Sequence, residues 1–111
     1  MKTTPFLEYI VYDIFGESEP ISFRPMMGAH ILYYEGKAFA IVEGDQLWFK
    51  GSNETKDWYL LHGSKKFSYL KKGKNQEMNY FIVPPEIYED KIKRDEWLDV
   101  ALSVAKLKDR N

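Results

Sequence analysis

Apolar residues first recur at one-and-four spacing, with Phe6, Leu7, Ile10, Val11, Ile14 and Phe15 forming one wide stripe. That period predicts an amphipathic helix. Thr4-Pro5 supplies a hydroxyl cap and a proline at the first helical position, and Gly16 suits a left-handed stop. The pattern then changes to alternation. Ile21-Ser22-Phe23-Arg24 reads as a strand, and Pro25 marks an edge or a bend because proline cannot donate to a ladder. Residues 30–34, 38–42 and 46–50 are three short runs rich in aromatic and branched side chains. They are separated by Glu35-Gly36 and Glu43-Gly44-Asp45, where glycine supplies the positive φ of a tight hairpin.

Past this meander, Ser52 or Asn53 caps a second helix through about His62, with Trp58 and Leu61 on its buried side and Gly63 at its end. Residues 67–71 and 77–83 read as strands flanking a polar loop, Lys72-Gly73-Lys74-Asn75-Gln76, and Pro84-Pro85 ends the second. Asp90 caps a last helix over residues 91–108, in which Trp97, Leu98, Ala101, Val104 and Ala105 make one stripe. Helices at both ends and one between runs of antiparallel strands describe a single α+β domain over residues 1–111. It is a two-layer arrangement of an antiparallel sheet with helices packed on it. The sheet's other face is left to be solvated, dimerised or bound.

Composition sharpens this picture in two places. Aromatic residues make up 16% of the chain, and rings are efficient at filling a small core and favoured in sheets, so packing explains them before base stacking does. The absence of cysteine excludes disulfides and thiolate zinc sites. The N-terminus has no continuous apolar core or small-residue cleavage site, and no stretch approaches a membrane helix, so the expected location is cytoplasmic.

Net charge is −1, which argues against coating DNA by charge alone. The distribution is uneven: residues 1–49 carry three bases and seven acids, whereas residues 50–75 carry seven and two. Most of that excess is KKFSYLKKGK, where Lys65, Lys66, Lys71, Lys72 and Lys74 interleave with Phe67 and Tyr69. Lysines beside aromatics can engage phosphates and stack bases, and a lysine-rich hairpin also guards a sheet edge from pairing with its neighbours.

Candidate chemistry is sparse. His30 and His62 stand outside any metal-ligand spacing, and no serine sits in a nucleophile elbow. No metal or catalytic residue is expected. Glu86, Glu89, Asp90, Asp95 and Glu96 are explained as helix-start acids on a solvated face. The glycines form no phosphate-binding loop; Gly28, Gly36, Gly44 and Gly51 are spaced as hairpin punctuation.

One pattern carries kinship. Arg24-Pro25-Met26-Met27-Gly28-Ala29, a strand, Gly36, a second strand, and Leu47-Trp48-Phe49-Lys50 follow in order. A helix comes next, then Phe67-Ser68-Tyr69 before a basic turn, Met78-Asn79-Tyr80, and the late Trp97. Over about residues 5–107 this resembles the N-terminal domain of the TfoX/Sxy family, whose pattern runs Arg-x-Met-Phe-Gly-Gly and then Leu-Tyr-Leu-Lys. The chain departs from it at Met27, Ala29 and Gly51, where phenylalanine, glycine and an acid are usual.

The resemblance implies a fold like that of the secretion chaperones, no established enzyme activity and no cofactor. It also implies a regulator of natural competence that works with a protein partner such as the cyclic-AMP receptor protein, here without the family's second, helical domain. Homodimerisation is a further implication. Within the motif, Arg24 is expected to pair with an acid or a carbonyl beside the sheet, Pro25 to bend the strand, Met26 to fill the core and Gly28 to let the chain turn.

The functional expectation is therefore a non-enzymatic interaction module. Direct nucleic-acid binding through the hairpin from Lys65 to Lys74 is the alternative. A small-ligand or enzymatic site walled by the turn from Met26 to His30, with His30 and Tyr33, comes third.

Overall fold

The structure, a computed structural model, describes residues 3–16 and 19–109, with side chains to residue 105. Helix α1 starts where the sequence places it: the Thr4 hydroxyl accepts from the Leu7 N–H at 3.1 Å, and Pro5 opens the first turn. Only Pro5–Glu8 is α-helical, however. Tyr9–Phe15 continues as a π-helix, and the Gly16 N–H donates to the Val11 carbonyl five residues back. Ile10, Val11 and Phe15 are the buried residues of the π-helix.

Six strands follow: β1 Ile21–Met26, β2 Ala29–Tyr34, β3 Lys37–Glu43, β4 Gln46–Lys50, β5 Lys66–Lys71 and β6 Lys74–Ile82. All pairings are antiparallel, in the order β1-β2-β3-β4-β6-β5. After β4 the chain passes through helix α2, Lys56–Leu61, to the far edge, lays down β5 there, and returns by a hairpin to place β6 beside β4. A 3-10 turn at Pro85–Tyr88 leads into helix α3, Lys91–Asp109. The Asp90 carboxylate accepts from the Lys93 N–H at 3.1 Å, as a helix cap should.

Three hairpins share one turn. Met27-Gly28, Glu35-Gly36 and Lys72-Gly73 each have two successive residues at positive φ, the form whose twist matches that of paired strands. The last of these corrects the five-residue loop expected at 72–76. Two residues make the turn, and Lys74, Asn75 and Gln76 lengthen β6 instead. The hydrophobic pattern could not show this because those three side chains are polar and exposed.

One face of the sheet carries the main core. Leu32, Phe39, Ala40, Val42, Leu47, Phe49, Phe81 and Val83 pack there against Leu7, Ile10 and Phe15 of α1, Tyr59 of α2, and Trp97, Leu98 and Ala101 of α3. A bulge between β2 and β3 lets the consecutive residues Phe39 and Ala40 both face this core. The buried residue of α2 is Tyr59, not Leu61, which is 84% exposed.

The opposite face is not left open as the sequence suggested. In a flat sheet β2 and β5, four strand spacings apart, would lie roughly 19 Å from each other. Instead Ala29 of β2 and Phe67 of β5 line one groove, and both belong to a buried cluster with Ile41, Trp48 and Tyr80. The sheet rolls on itself, and the inside of the roll is a second, smaller core.

Candidate functional site

Arg24, Pro25 and Met26 lie at the end of β1, which is an edge strand, so Pro25 costs the ladder nothing on its outer side. Arg24 is exposed, and its guanidinium lies 5.8 Å from the centre of the Tyr33 ring. This corrects the expected acid or carbonyl partner: a cation over an aromatic face replaces it. Pro25 stays within β1, paired opposite His30. Met26 is half-buried against the second core, not the main one. Gly28, at φ 82, makes the turn as expected, and so does Gly36 at φ 81.

The other motif residues are divided between the two cores. Leu47 and Trp97 are fully buried in the main core, where Trp97 meets Trp58 edge-on at 5.0 Å. Tyr80 lies in the second core, with the Lys50 ammonium 5.9 Å from its ring centre. Burial holds the Tyr80 hydroxyl protonated to about 12. The Lys50 carbonyl accepts from the Tyr59 hydroxyl at 2.7 Å.

Gly51 is not hairpin punctuation. A Cβ there would stand 2.5 Å from one Phe81 ring carbon, so the position needs glycine for space.

The basic segment separates into two groups. Lys65 and Lys66 lie at one end of β5, while Lys71, Lys72 and Lys74 surround the hairpin tip, roughly 20 Å along the strand. Of the interleaved rings, Phe67 turns inward and meets Trp48 edge-on at 5.0 Å, and Tyr69 is half-buried beside it. Phe67 therefore offers no open face for stacking. Alternation shows which residues share a face, but not whether that face is covered.

The histidines differ: among the described residues His30 Nε2 is buried without a hydrogen-bond partner, whereas His62 is bonded and stacked. His62 Nδ1 donates to the Trp58 carbonyl at 2.7 Å, and the His62 ring stacks on Trp58 at 4.0 Å. His30 packs edge-on against Phe23, on the helix-covered side of the sheet. Among the described residues, no three histidine, aspartate or glutamate side chains gather as metal ligands would. Glu86 and Asp95 pair with Lys93 and Lys91 instead.

What the fold does bring together is the motif turn and the basic hairpin. Met26, Met27, Ala29 and Glu43 form one wall of a groove of about 250 Å³, and Phe67, Ser68, Tyr69 and Leu70 form the other. Of these walls' most exposed members, Leu70 was not singled out in the sequence, and Met27 was read only as a departure from the family pattern within the turn from Met26 to His30. A large residue directly before a turn glycine was the available signal for Met27, since such a side chain projects from the hairpin end.

The arrangement is an α+β domain, a rolled antiparallel sheet with helices on one side and an apolar groove at the mouth of the roll. The sequence profile of the TfoX N-terminal domain matches residues 13–105, and the chain belongs to that family. No curated protein compared with it matches significantly. Among the described residues, no helix is long and apolar enough to cross a membrane.

Proposed function

We propose that this domain acts without catalysis, by binding another protein, and that the binding serves regulation of transcription in natural competence in the cytoplasm. The observation that carries the binding reading is the groove between the β1–β2 turn and β5. It exposes Met27 and Leu70 at its mouth and is floored by Phe67 and Tyr69. Apolar side chains left exposed to water beside a packed aromatic floor suit a protein partner. The regulatory part rests on family membership, and a transcription regulator such as the cyclic-AMP receptor protein is the partner it suggests.

Direct nucleic-acid binding is the second reading, favoured by the exposed Lys71, Lys72 and Lys74 at the hairpin tip. It predicts affinity that falls by about one power of salt concentration for each phosphate contacted. An affinity pull-down from the host lysate, with and without nuclease, separates the two. A protein that persists after nuclease supports the first reading. Partners that vanish with nuclease, and binding abolished by Lys71→Glu with Lys72→Glu, support the second.

A further inference from the structure

The groove has features that a generic apolar patch lacks. Met27 is 68% exposed and Leu70 77% exposed, and both line it. Met27 holds φ 46, a left-handed conformation that asparagine or glycine adopts more readily than methionine. Strand β5, whose residues 67–70 form one wall, is the outer strand of the sheet and, among the described residues, has one edge without a neighbour. Lysines flank that edge at both ends: Lys65 and Lys66 before it, Lys71, Lys72 and Lys74 after it.

We propose that the groove receives an extended, acidic segment of another protein, added along the free edge of β5, with a large apolar side chain seated between Met27 and Leu70. The proposal rests on the interaction-module reading and names the chemistry of its partner. Strand addition supplies main-chain hydrogen bonds, and the groove supplies side-chain selectivity. The lysines attract carboxylates at either end. Glu43, the acid in the lining, excludes a carboxylate from the middle and reserves that place for the apolar side chain.

Two other occupants fit less well. A second copy pairing through β5 would bring lysine against lysine along the new ladder. Nucleic acid would meet Trp48, Phe67 and Tyr80 with their rings already packed into the second core.

The test is selection of displayed random linear peptides on the full chain, followed by titration of the enriched peptide into isotope-labelled protein. Enriched sequences should place acidic residues on both sides of an apolar centre. Their addition should shift the amide signals of residues 27–29 and 66–71, and added salt should weaken them. Met27→Asn and Leu70→Ser should each reduce affinity at least about tenfold, and Ile92→Ser, on exposed α3 surface, should not.

Both groove side chains are exposed, and unchanged melting or a higher melting temperature will show that the variants are folded. Basic or motif-free selectants, or binding that survives both groove substitutions, would overturn the proposal. So would groove signals that shift with protein concentration alone, or displacement of the peptide by single-stranded DNA. A nuclease-resistant host partner retained by the Met27→Asn, Leu70→Ser double variant would overturn the groove and leave the module reading standing. Successful peptide selection with no host protein captured would do the reverse.

Discussion

Tyr59 and Phe81 stack face to face, with ring centres 4.7 Å apart and planes 7° from parallel. The pair joins α2 to β6 across the main core, and the Tyr59 hydroxyl is anchored on the Lys50 carbonyl. Gly51 lies directly against it, and its own N–H donates to the Asn79 carbonyl at 2.7 Å. One glycine thus decides how closely β4 and the ring pair can approach.

Gly51→Ala should therefore destabilise the fold by about 1–3 kcal/mol, the cost of overpacking a filled core. Urea unfolding checks this. Stability equal to that of the parent would mean that the stack slides aside freely.

Tyr59→Phe keeps the ring and removes the donor, leaving the Lys50 carbonyl without it. The expected loss is about 1–2 kcal/mol. The same denaturation experiment measures it, and a loss no larger than that of an exposed Tyr12→Phe control would remove the hydrogen bond from the account.

Burial pushes the hydroxyls of Tyr80 and Tyr88 from 10.0 to about 12, and that of Tyr59 higher still. Their folded-state values lie above the unfolded one, so the unfolded chain loses protons first as pH rises. Stability should be unaffected by these groups below about pH 10 and fall progressively between about pH 10 and 12. Unfolding curves over this range should show a shallower decline in Tyr80→Phe. An identical slope would mean that Tyr80 contributes nothing to it.

Met27→Asn replaces an exposed residue in left-handed backbone with one that tolerates it. Stability should rise by about 1 kcal/mol, seen as a higher melting temperature. A fall would show that contacts of the methionine side chain already outweigh the backbone cost.

Asp90→Ala removes the cap of α3, at a cost of about 1 kcal/mol. Thermal melting followed by circular dichroism at a helix wavelength reports it. No change would place the helix start under the control of packing, through Arg94 bonded to the Ile87 carbonyl at 2.7 Å.

Much of this architecture was legible in local chemistry. The X-Gly turns, the alternating runs, Thr4 and Asp90 as caps, and the buried stripe of Trp97, Leu98, Ala101, Val104 and Ala105 all follow from residue type and period. The failures share a cause. In Trp58-Tyr59-Leu60-Leu61 four consecutive apolar residues lie in a helix too short for period to choose a face, and tertiary packing selected Tyr59. The roll of the sheet is a long-range property as well. Phe67 and Tyr69 alternate correctly, yet nothing local says that Ala29 closes over them. Half of the candidate site, the motif turn and the basic hairpin, was visible in the sequence, but their meeting was not.

The roll has a kinetic consequence. Strands β1 to β4 pair with immediate neighbours in sequence, whereas β6 must find β4 after α2 and β5 have intervened. Local pairings close with little loss of chain entropy and distant ones with more, so the meander should assemble early and the β5–β6 arm late. The small core inside the roll depends on that late arm, while the large core is held from both ends of the chain by α1 and α3. In native-state hydrogen exchange, the outer part of the arm should then open as a separate, cheaper unit. The groove would be the seam along which the folded domain comes apart first.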